Sequence, residues 1–309
     1  MSVGIRAISL VFPLVVFAFW GSIHTPDPDG LFGDGSGSDL VLSSLPPLPT
    51  WAGDELPDFT SYRDTTERKA AFFSFLYPRI VLANSRILIE RDYLDALAQK
   101  DELSKSERSW LTGQAKRLRV EEEPTSPELF NQLRQRLDVI SPSLILAQAA
   151  NESAWGTSRF ATRGNNLFGQ WCFSKGCGLV PRGRVEGATH EVARFASPYR
   201  SIRGYIQNLN RHPTYQALRD VRQTARDNGK LASGIALAAG LIGYSERGED
   251  YVKEIRNMIR YNNLAYFDRA FTATVDGSNT KKLQTLASAS KERALLPSAG
   301  DNDDSGDIH

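Results

Sequence analysis

The spacing of apolar residues along the chain predicts a mostly helical protein. From residue 65 to residue 99, apolar side chains recur at helical intervals, and Pro78 is expected to break or kink this helix. Ser104 and Glu107 match a capping box and open a second helix. Neither helix carries an evident catalytic cluster, so residues 65–125 are interpreted as a helical extension.

A second group of helices is predicted over residues 126–272, which we interpret as the main domain. Ser126-Pro127 and Ser141-Pro142 each place a capping serine before a proline at the first helical position. Ser197-Pro198 repeats this arrangement. Further helices are predicted over residues 214–227, 231–242 and 248–262.

One stretch among these helices has a β-like pattern instead. It covers residues 179–195, with a turn predicted at Glu186-Gly187. The predicted fold class is therefore mostly α (α+β), with one small β hairpin inserted between helices.

Both ends of the chain depart from the helical pattern. Arg6 precedes an uncharged apolar run, residues 7–20, which is typical of an export signal. Because no clear cleavage site follows, residues 1–23 are predicted to be either a signal peptide or a membrane anchor. Residues 24–64, rich in Pro, Gly, Asp and Ser, are predicted to be a disordered linker, and residues 273–309 a disordered tail.

Composition and charge narrow the possible functions. The 37 basic and 36 acidic side chains give a net charge of +1, which argues against a nucleic-acid binder that works through bulk charge. Export implies an oxidising compartment, so Cys172 and Cys177 are predicted to form a local disulfide. No metal or organic cofactor is predicted, because the histidines show no ligand spacing: His24, His190, His212 and His309.

Glu152 is the strongest candidate for chemistry. It lies three and four residues after Ala149 and Gln148, so it ends an apolar helical stripe that should face inward. Partial burial and the negative end of the helix dipole should both raise its pKa, and Trp155 offers an apolar wall. A carboxyl group that stays protonated suits a general acid for glycosidic cleavage. The alternative is a structural ion pair with Arg159 or Arg163.

The loop after this helix favours a binding site over an ion pair. Asn165 and Asn166 lie between glycines and can bond to hydroxyl and acetamido groups, which makes them candidate substrate ligands. Trp171 is a candidate stacking surface for a sugar ring. Phe168 is interpreted as a core residue.

Three segments together resemble a known family. The sequences AQAANESAWGTSRFA, GNNLFGQW and GYSERGEDYVKEI resemble motifs of the bacterial glucosaminidases of glycoside hydrolase family 73, which are peptidoglycan hydrolases. The segment WCFSKGCGLVPR and the preceding helical region look most like Bax-type members of Gram-negative bacteria. The family resemblance covers residues 137–263, and the Bax-type resemblance extends back to residue 65.

This resemblance implies a fold, a reaction and a location. The fold would be a lysozyme-like α lobe with a small β-hairpin lobe. The protein would act in the periplasm, free or anchored to the inner membrane, and cleave the β-1,4 bond between N-acetylglucosamine and N-acetylmuramic acid in peptidoglycan glycan strands. Glu152 would be the general acid, Tyr244 would lie near the reacting sugar, and Tyr251 would contact the substrate.

The second catalytic group stays open at the level of sequence. The family often carries a second carboxylate on its β hairpin, and the candidates here are Glu191 and Glu186. Glu191 is preferred, because it should share a strand face with Phe195. A base would activate water ~6.5–9.5 Å from the acid. Alternatively, the substrate's own acetamido oxygen would attack, and Tyr244 would stabilise the developing charge.

Two other functions compete with hydrolysis. A lytic transglycosylase would use the same acid but release an anhydro-sugar, and a membrane-tethered module would bind glycan without cleaving it. A nucleic-acid binder would need a basic face. The arginines closest to forming one in the sequence are interpreted as a solvated helix face or as contacts to stem-peptide carboxylates: Arg211, Arg219, Arg222 and Arg226.

Overall fold

A 33-residue helix, α1 (Thr65–Leu97), forms the core of the N-terminal part of the protein. The computed structural model describes residues 42, 44–185 and 187–297, so the predicted signal or anchor and Glu186 lie outside the described residues. Helix α1 is long and apolar enough to cross a membrane by length and composition alone, but 83% of its apolar window is buried inside the protein. It therefore has the character of a core helix.

Pro78 does not end helix α1, so the prediction of a break was wrong. Pro78 is itself buried, and the guanidinium of Arg79 donates to the carbonyl of Phe75 at 2.7 Å. The helix therefore continues through a buried proline, with an additional side-chain hydrogen bond one residue further on.

The residues before α1 are ordered, so the prediction of a disordered linker was wrong for residues 44–64. Short 3-10 helices at Thr50–Gly53 and Phe59–Ser61 bury Trp51 and Phe59. The indole of Trp51 donates to the carbonyl of Ala289 at 2.7 Å, and the Phe59 ring packs against the core of α1. Two aromatic anchors thus outweigh a composition that is typical of disorder.

The end of the chain also packs on α1, and the predicted disordered tail was wrong for residues 273–297. A helix at Thr280–Ala287 lies along α1 and buries Leu283 and Ala287. A 3-10 helix at Glu292–Leu295 follows, and Glu292 accepts from the buried Arg79 at 2.9 Å.

The remaining helices surround a short central helix. In chain order they are α2 (Lys105–Leu118), α3 (Pro127–Arg136), α4 (Pro142–Glu152), α5 (Arg159–Gly164), α6 (Pro198–Arg211), α7 (Gln216–Asp227), α8 (Gly234–Leu237), α9 (Glu249–Tyr261), α10 (Ala265–Val275) and α11 (Thr280–Ala287). Helix α4 is buried over Pro142 to Ala150 and packs against α1, α8, α9 and α10. Two further 3-10 helices lie at Pro213–Tyr215 and Ala238–Tyr244.

Helix starts follow the capping predictions with one exception. Ser104 with Glu107, Ser126 and Ser197 all cap their helices through side-chain bonds. Ser141 makes no capping bond at the start of α4. Asp268 of α10 takes that role instead, because its carboxylate accepts from the backbone amide and the hydroxyl of Ser143.

A small antiparallel sheet covers the end of α5. Its strands are β1 (Trp171–Cys172), β2 (Gly178–Leu179) and β3 (Glu191–Ala193), in the order β1-β3-β2. In the register, Trp171 and Leu179 both pair with Val192. The Cys172–Cys177 disulfide is present, as predicted. The fold class is therefore confirmed as mostly α with a small β portion, although the sheet has three strands rather than a hairpin's two.

Arg211 of α6 and the arginines of α7 are buried or half-buried, so the predicted solvated face was wrong. Arg219 and Arg222 are buried, and Arg226 pairs with the buried carboxylate of Asp138. Arg91 of α1 also approaches Asp138, at 3.8 Å. This cluster joins α1 and α7 to the loop before α4 and cannot serve as a basic outer surface.

Candidate active site

Glu152 is the last residue of helix α4 and is half-buried. Its Oε1 accepts from the hydroxyl of Tyr251 at 2.7 Å and from the amide of Asn151 at 3.3 Å. Burial raises the pKa of Glu152, and these two hydrogen bonds oppose only part of that rise. The carboxyl group is thus placed to hold a proton at a pH where an exposed glutamate would be ionised.

The alternative of an ion pair does not match the contacts of Glu152. Arg159 donates instead to the carbonyl of Val180 at 2.8 Å, on the β2 side of the site. Among the residues that the structure describes, no arginine or lysine lies within ion-pair distance of Glu152.

A left-handed turn holds the end of α4 in place. Ala154, Trp155 and Gly156 all have positive φ, of 51°, 60° and 77°. Only glycine adopts this region without cost, so Ala154 and Trp155, two and three residues after Glu152, are strained. The Ser153 hydroxyl bonds the carbonyl of Ala149 and accepts from the amide of Gly156, which stabilises the turn.

Trp155 lies against the N-terminal extension. Its ring packs edge-on against Phe72 and Phe73 of α1, with centroids 5.8 and 5.4 Å apart, and the Lys69 ammonium lies 4.8 Å from its centroid. Three neighbours therefore surround the ring that was predicted to contact substrate and to shield Glu152. This position joins the extension to the turn that carries the acid.

A chain of hydrogen bonds connects Glu152 to the protein interior through the Tyr251 hydroxyl. The Gln148 side chain, one turn earlier on α4, donates to the Tyr251 hydroxyl at 2.8 Å and accepts from the Tyr205 hydroxyl. The Tyr205 ring stacks on Phe168 with centroids 4.1 Å apart. The sequence analysis missed Tyr205 and the role of Gln148, although the four-residue spacing of Gln148 and Glu152 was the available signal.

Tyr244 lies in the same cluster as Tyr251. The two rings stack with centroids 5.3 Å apart and planes inclined by 6°. The Tyr244 hydroxyl donates to the carbonyl of Phe168 at 3.0 Å. Burial, and next the charge of Glu152, raise the pKa of Tyr244 well above its ordinary value. Its hydroxyl therefore stays protonated and able to donate.

The two loop asparagines direct their amides into the protein. Asn165 ends α5 and donates to the carbonyl of Phe195 at 3.1 Å. Asn166 is buried, and its amide donates to the carbonyls of Gln170 and Ala193 while its oxygen accepts from backbone amides. Both residues fasten the loop to β3, so the structure gives these candidate substrate ligands a positioning role.

Trp171 on β1 is half-buried and stacks on His190, with centroids 4.2 Å apart and planes inclined by 12°. Burial, and next the charge of Arg184, lower the pKa of His190, which favours a neutral ring beneath the indole. One face of Trp171 is therefore supported by a flat neutral partner.

Glu191, the preferred second carboxylate, is occupied by the disulfide loop. Its two oxygens accept from the amides of Gly176 and Gly178 at 3.0 and 2.8 Å. The bond from Gly176 contributes most to lowering its pKa. The charges acting on Glu191 are those of Arg184 and Arg194, whereas those acting on Glu152 come from other residues. The two carboxylates thus lie in separate electrostatic surroundings.

Glu254 is a carboxylate close enough to Glu152 for its negative charge to raise the pKa of Glu152. It lies one turn after Tyr251 on α9, and its negative charge adds to the raised pKa of Glu152. Arg247 forms an ion pair with Glu254 at 2.6 Å and partly offsets this effect. The sequence analysis did not single out Glu254.

The cysteines and Glu191 form a cluster that has the composition of a metal site. The two sulfur atoms are bonded to each other, so neither is available as a thiolate ligand. This donor set does not fit a metal ion.

Comparison with known proteins identifies the family of the chain. The glucosaminidase family profile, described as mannosyl-glycoprotein endo-beta-N-acetylglucosaminidase, matches residues 127–264 and so includes Glu152, Tyr244 and Tyr251. The protein named "Protein bax" from Escherichia coli (strain K12) is 36% identical over 197 residues, which covers 63% of this chain and 70% of that protein. No solved structure matches the chain.

The family match therefore places the chain among the glycosidases of the glucosaminidase class, which act on glycans. Within that class, the chain belongs to the Bax-type glucosaminidase family, as the sequence motifs indicated.

Proposed function

We propose that the protein is a peptidoglycan hydrolase, an endo-β-N-acetylglucosaminidase that cleaves the β-1,4 bond between N-acetylglucosamine and N-acetylmuramic acid. The observation that carries this proposal is the half-buried Glu152, whose pKa is raised and whose Oε1 is held by Tyr251 at 2.7 Å. The proton of Glu152 passes to the glycosidic oxygen as the leaving sugar departs. Membership of a glycan-acting family supports the substrate class.

Tyr251 and Gln148 position the acid in this mechanism. Tyr251 donates to Oε1, and Gln148 fixes the Tyr251 hydroxyl from the other side. With Oε1 engaged, Oε2 is the oxygen left to carry the proton toward the substrate. Holding a catalytic group in one geometry lowers the entropic part of the barrier.

As the glycosidic C–O bond breaks, the substrate's own acetamido oxygen bonds to the anomeric carbon and Tyr244 stabilises the positive charge of the cyclic intermediate. Water then adds to the anomeric carbon, the acetamido oxygen leaves, and the carboxylate of Glu152 takes a proton from that water, which restores the acid. This route is favoured over a base from the sheet, because both oxygens of Glu191 already accept backbone amides. Tyr244 stacks on Tyr251 and donates its one hydroxyl proton to the carbonyl of Phe168, so its oxygen is left to accept from the acetamido N–H as positive charge develops there.

Trp171 is assigned to a sugar subsite. Its ring is half-buried and supported on one side by His190, which suits stacking with the apolar face of a pyranose. Asn165, Asn166 and Trp155 are assigned to holding the loop and turn around Glu152. The protein acts on the cell wall outside the cytoplasm, and the apolar residues 7–20 supply the export signal or anchor.

Replacing Tyr251 by phenylalanine should move the basic limb of the pH–activity profile to higher pH. In the natural chain, the hydrogen bond from Tyr251 lowers the pKa of Glu152. Removing this bond should therefore raise that pKa further. The acid form is active below this pKa and is lost as pH rises through it. A hydrogen bond to a charged group is worth about 1.5–3 kcal/mol, so a shift of roughly one to two pH units is expected.

The measurement is kcat/KM against pH on a soluble peptidoglycan fragment. The control is Tyr261→Phe on the same helix, where the side chain is 85% exposed and the profile should not move. A basic limb that stays in place or moves to lower pH in Tyr251→Phe would show that this bond does not tune the acid.

The test of the proposed function is the chemistry of the new chain ends. Hydrolysis leaves a reducing N-acetylglucosamine, a lytic transglycosylase leaves an anhydro-muramic end, and a binding module leaves the glycan intact. The first outcome supports the proposal, and each of the others overturns it.

A further inference from the structure

A cavity lies at the opposite end of α4 from Glu152. Helix α4 has 11 residues, so its two ends are about 15 Å apart. A cavity of about 400 Å³ opens beside its first turn, between α7, α8 and α10. Its lining shares no residue with the Glu152 cluster, and the walls are mainly apolar: Pro142, Leu231, Leu237 and Phe271. This volume lies within the range of small-molecule sites.

One polar group of this cavity has no partner. Ser141 lines the cavity and is 6% exposed, and its Oγ has no hydrogen bond among the described residues. The hydroxyl is not needed as a helix cap, because Asp268 accepts from Ser143 in its place. A buried hydroxyl without a partner indicates a site that water or a ligand completes.

The charge beside the cavity favours an anion. Arg222 and Arg226 line the wall, and Arg91 joins them around Asp138, so three guanidinium groups surround one carboxylate. Burial, opposed in part by Asp138, lowers the pKa of Arg222 to about 10, so it remains charged near neutral pH. The local excess is therefore positive.

The charged groups on the facing helix do not reverse this balance. The Asp268 carboxylate is turned to Ser143 and to the amide of Gly234, at 2.6–3.0 Å. The exposed Arg269 lies next to it on α10 and also lines the cavity. Burial raises the pKa of Asp268, and its hydrogen bonds from Ser143 and Gly234 oppose that rise.

We propose that this cavity binds a small amphipathic carboxylate of the medium-chain fatty acid type. The carboxylate lies toward Ser141 and Arg226, and the chain lies against Leu231, Leu237 and Phe271. The site is distinct from the Glu152 cluster, so it does not depend on the proposed glycan cleavage.

The experiment is calorimetric titration of the purified full chain with octanoate, octanol and octylammonium. Octanoate has ten non-hydrogen atoms, so a Kd on the order of 0.1–1 mM is expected. The Kd of octanol should be at least about fivefold higher than that of octanoate, because octanol has no charge to attract the arginines. Octylammonium should show no binding, because its charge is positive. Glu152→Gln should bind octanoate as the natural chain does.

Two variants are designed to fill the cavity, so that the test can still be made if one of them does not fold. Ala232→Trp and Ala273→Trp place a large side chain in the lining, and each should abolish octanoate binding. The control, Ala70→Trp on the exposed side of α1, should leave it unchanged. Equal binding of all three eight-carbon compounds, no octanoate binding, or full octanoate binding by folded Ala232→Trp and Ala273→Trp would each overturn the proposal.

Discussion

Replacing Glu152 by glutamine is expected to lower kcat on peptidoglycan by about 10²–10⁴-fold, because loss of a general acid has effects of this size. Glutamine keeps the shape of the side chain and can still accept from Tyr251, but it cannot give a proton to the leaving oxygen. The rate of reducing-end release from purified sacculi measures the effect. Thermal unfolding should change by only a few degrees, the equivalent of about 1 kcal/mol.

Glu191→Gln is the matched control for this experiment. It makes the same chemical change at the carboxylate that accepts from Gly176 and Gly178. If Glu191 holds the disulfide loop, the variant should keep kcat within about tenfold of the natural chain, well short of a lost acid or base. A loss in Glu191→Gln equal to that in Glu152→Gln would instead make Glu191 the catalytic base.

The largest effect on stability is expected from Asp138→Ala. Asp138 is 2% exposed and lies among Arg91, Arg222 and Arg226. Removing one partner from a buried charge cluster costs about 3–5 kcal/mol, because the arginines keep their burial but lose their counter-ion. Denaturant unfolding at neutral pH measures this change in the free energy of unfolding.

The stability supplied by Asp138 should also depend on pH. Burial alone would raise its pKa, but the bond from Arg226 and the nearby arginine charges hold the pKa at about 2. The folded pKa lies below the ordinary aspartate value of about 3.9, so the contribution is complete above that value and declines as pH falls toward 2. The difference between the natural chain and Asp138→Ala should therefore shrink over this window.

An exposed acidic residue supplies the control for Asp138. Asp250 pairs with Lys253 at 3.1 Å, and its side chain is 76% exposed. Asp250→Ala should change the free energy of unfolding by less than about 1 kcal/mol. If Asp138→Ala lowered the free energy of unfolding by no more than Asp250→Ala does, the buried cluster would not stabilise the fold.

Local signals in the sequence predicted much of the helical framework. The serine caps at Ser104, Ser126 and Ser197 and the disulfide depend on neighbouring residues, and the structure contains them all. The cap at Ser141 failed, because Asp268 supplies the partner for α4 from 125 residues further along the chain. Such a substitution depends on tertiary packing and leaves no local signal.

Amino-acid composition gave a wrong prediction of disorder for the segments before α1 and after α10. Residues 44–64 and 273–297 have many small and polar residues, yet a few apolar anchors attach them to α1. Trp51 bonds to Ala289, so the two segments also contact each other. A composition average cannot detect order that depends on one aromatic side chain meeting a distant segment.

Only part of the candidate active site could be predicted, because several of its contacts join segments that are distant in the sequence. Glu152 could be found because helical spacing places it at the end of a buried stripe, and the motif led to Tyr244 and Tyr251. The support of Tyr251 by Gln148 and Tyr205 joins three helices and could not be derived from spacing alone. Asn166 has the chemistry of a sugar ligand, but the fold uses that chemistry to hold its own loop.

The most direct test of the central claim is mass spectrometry of the muropeptides released from purified sacculi. If the protonated Glu152 drives hydrolysis, the natural chain should yield fragments that end in a reducing N-acetylglucosamine, each heavier by one water molecule than an anhydro product. Fragments that end in anhydro-muramic acid, or undigested sacculi in the presence of folded protein, would contradict this account.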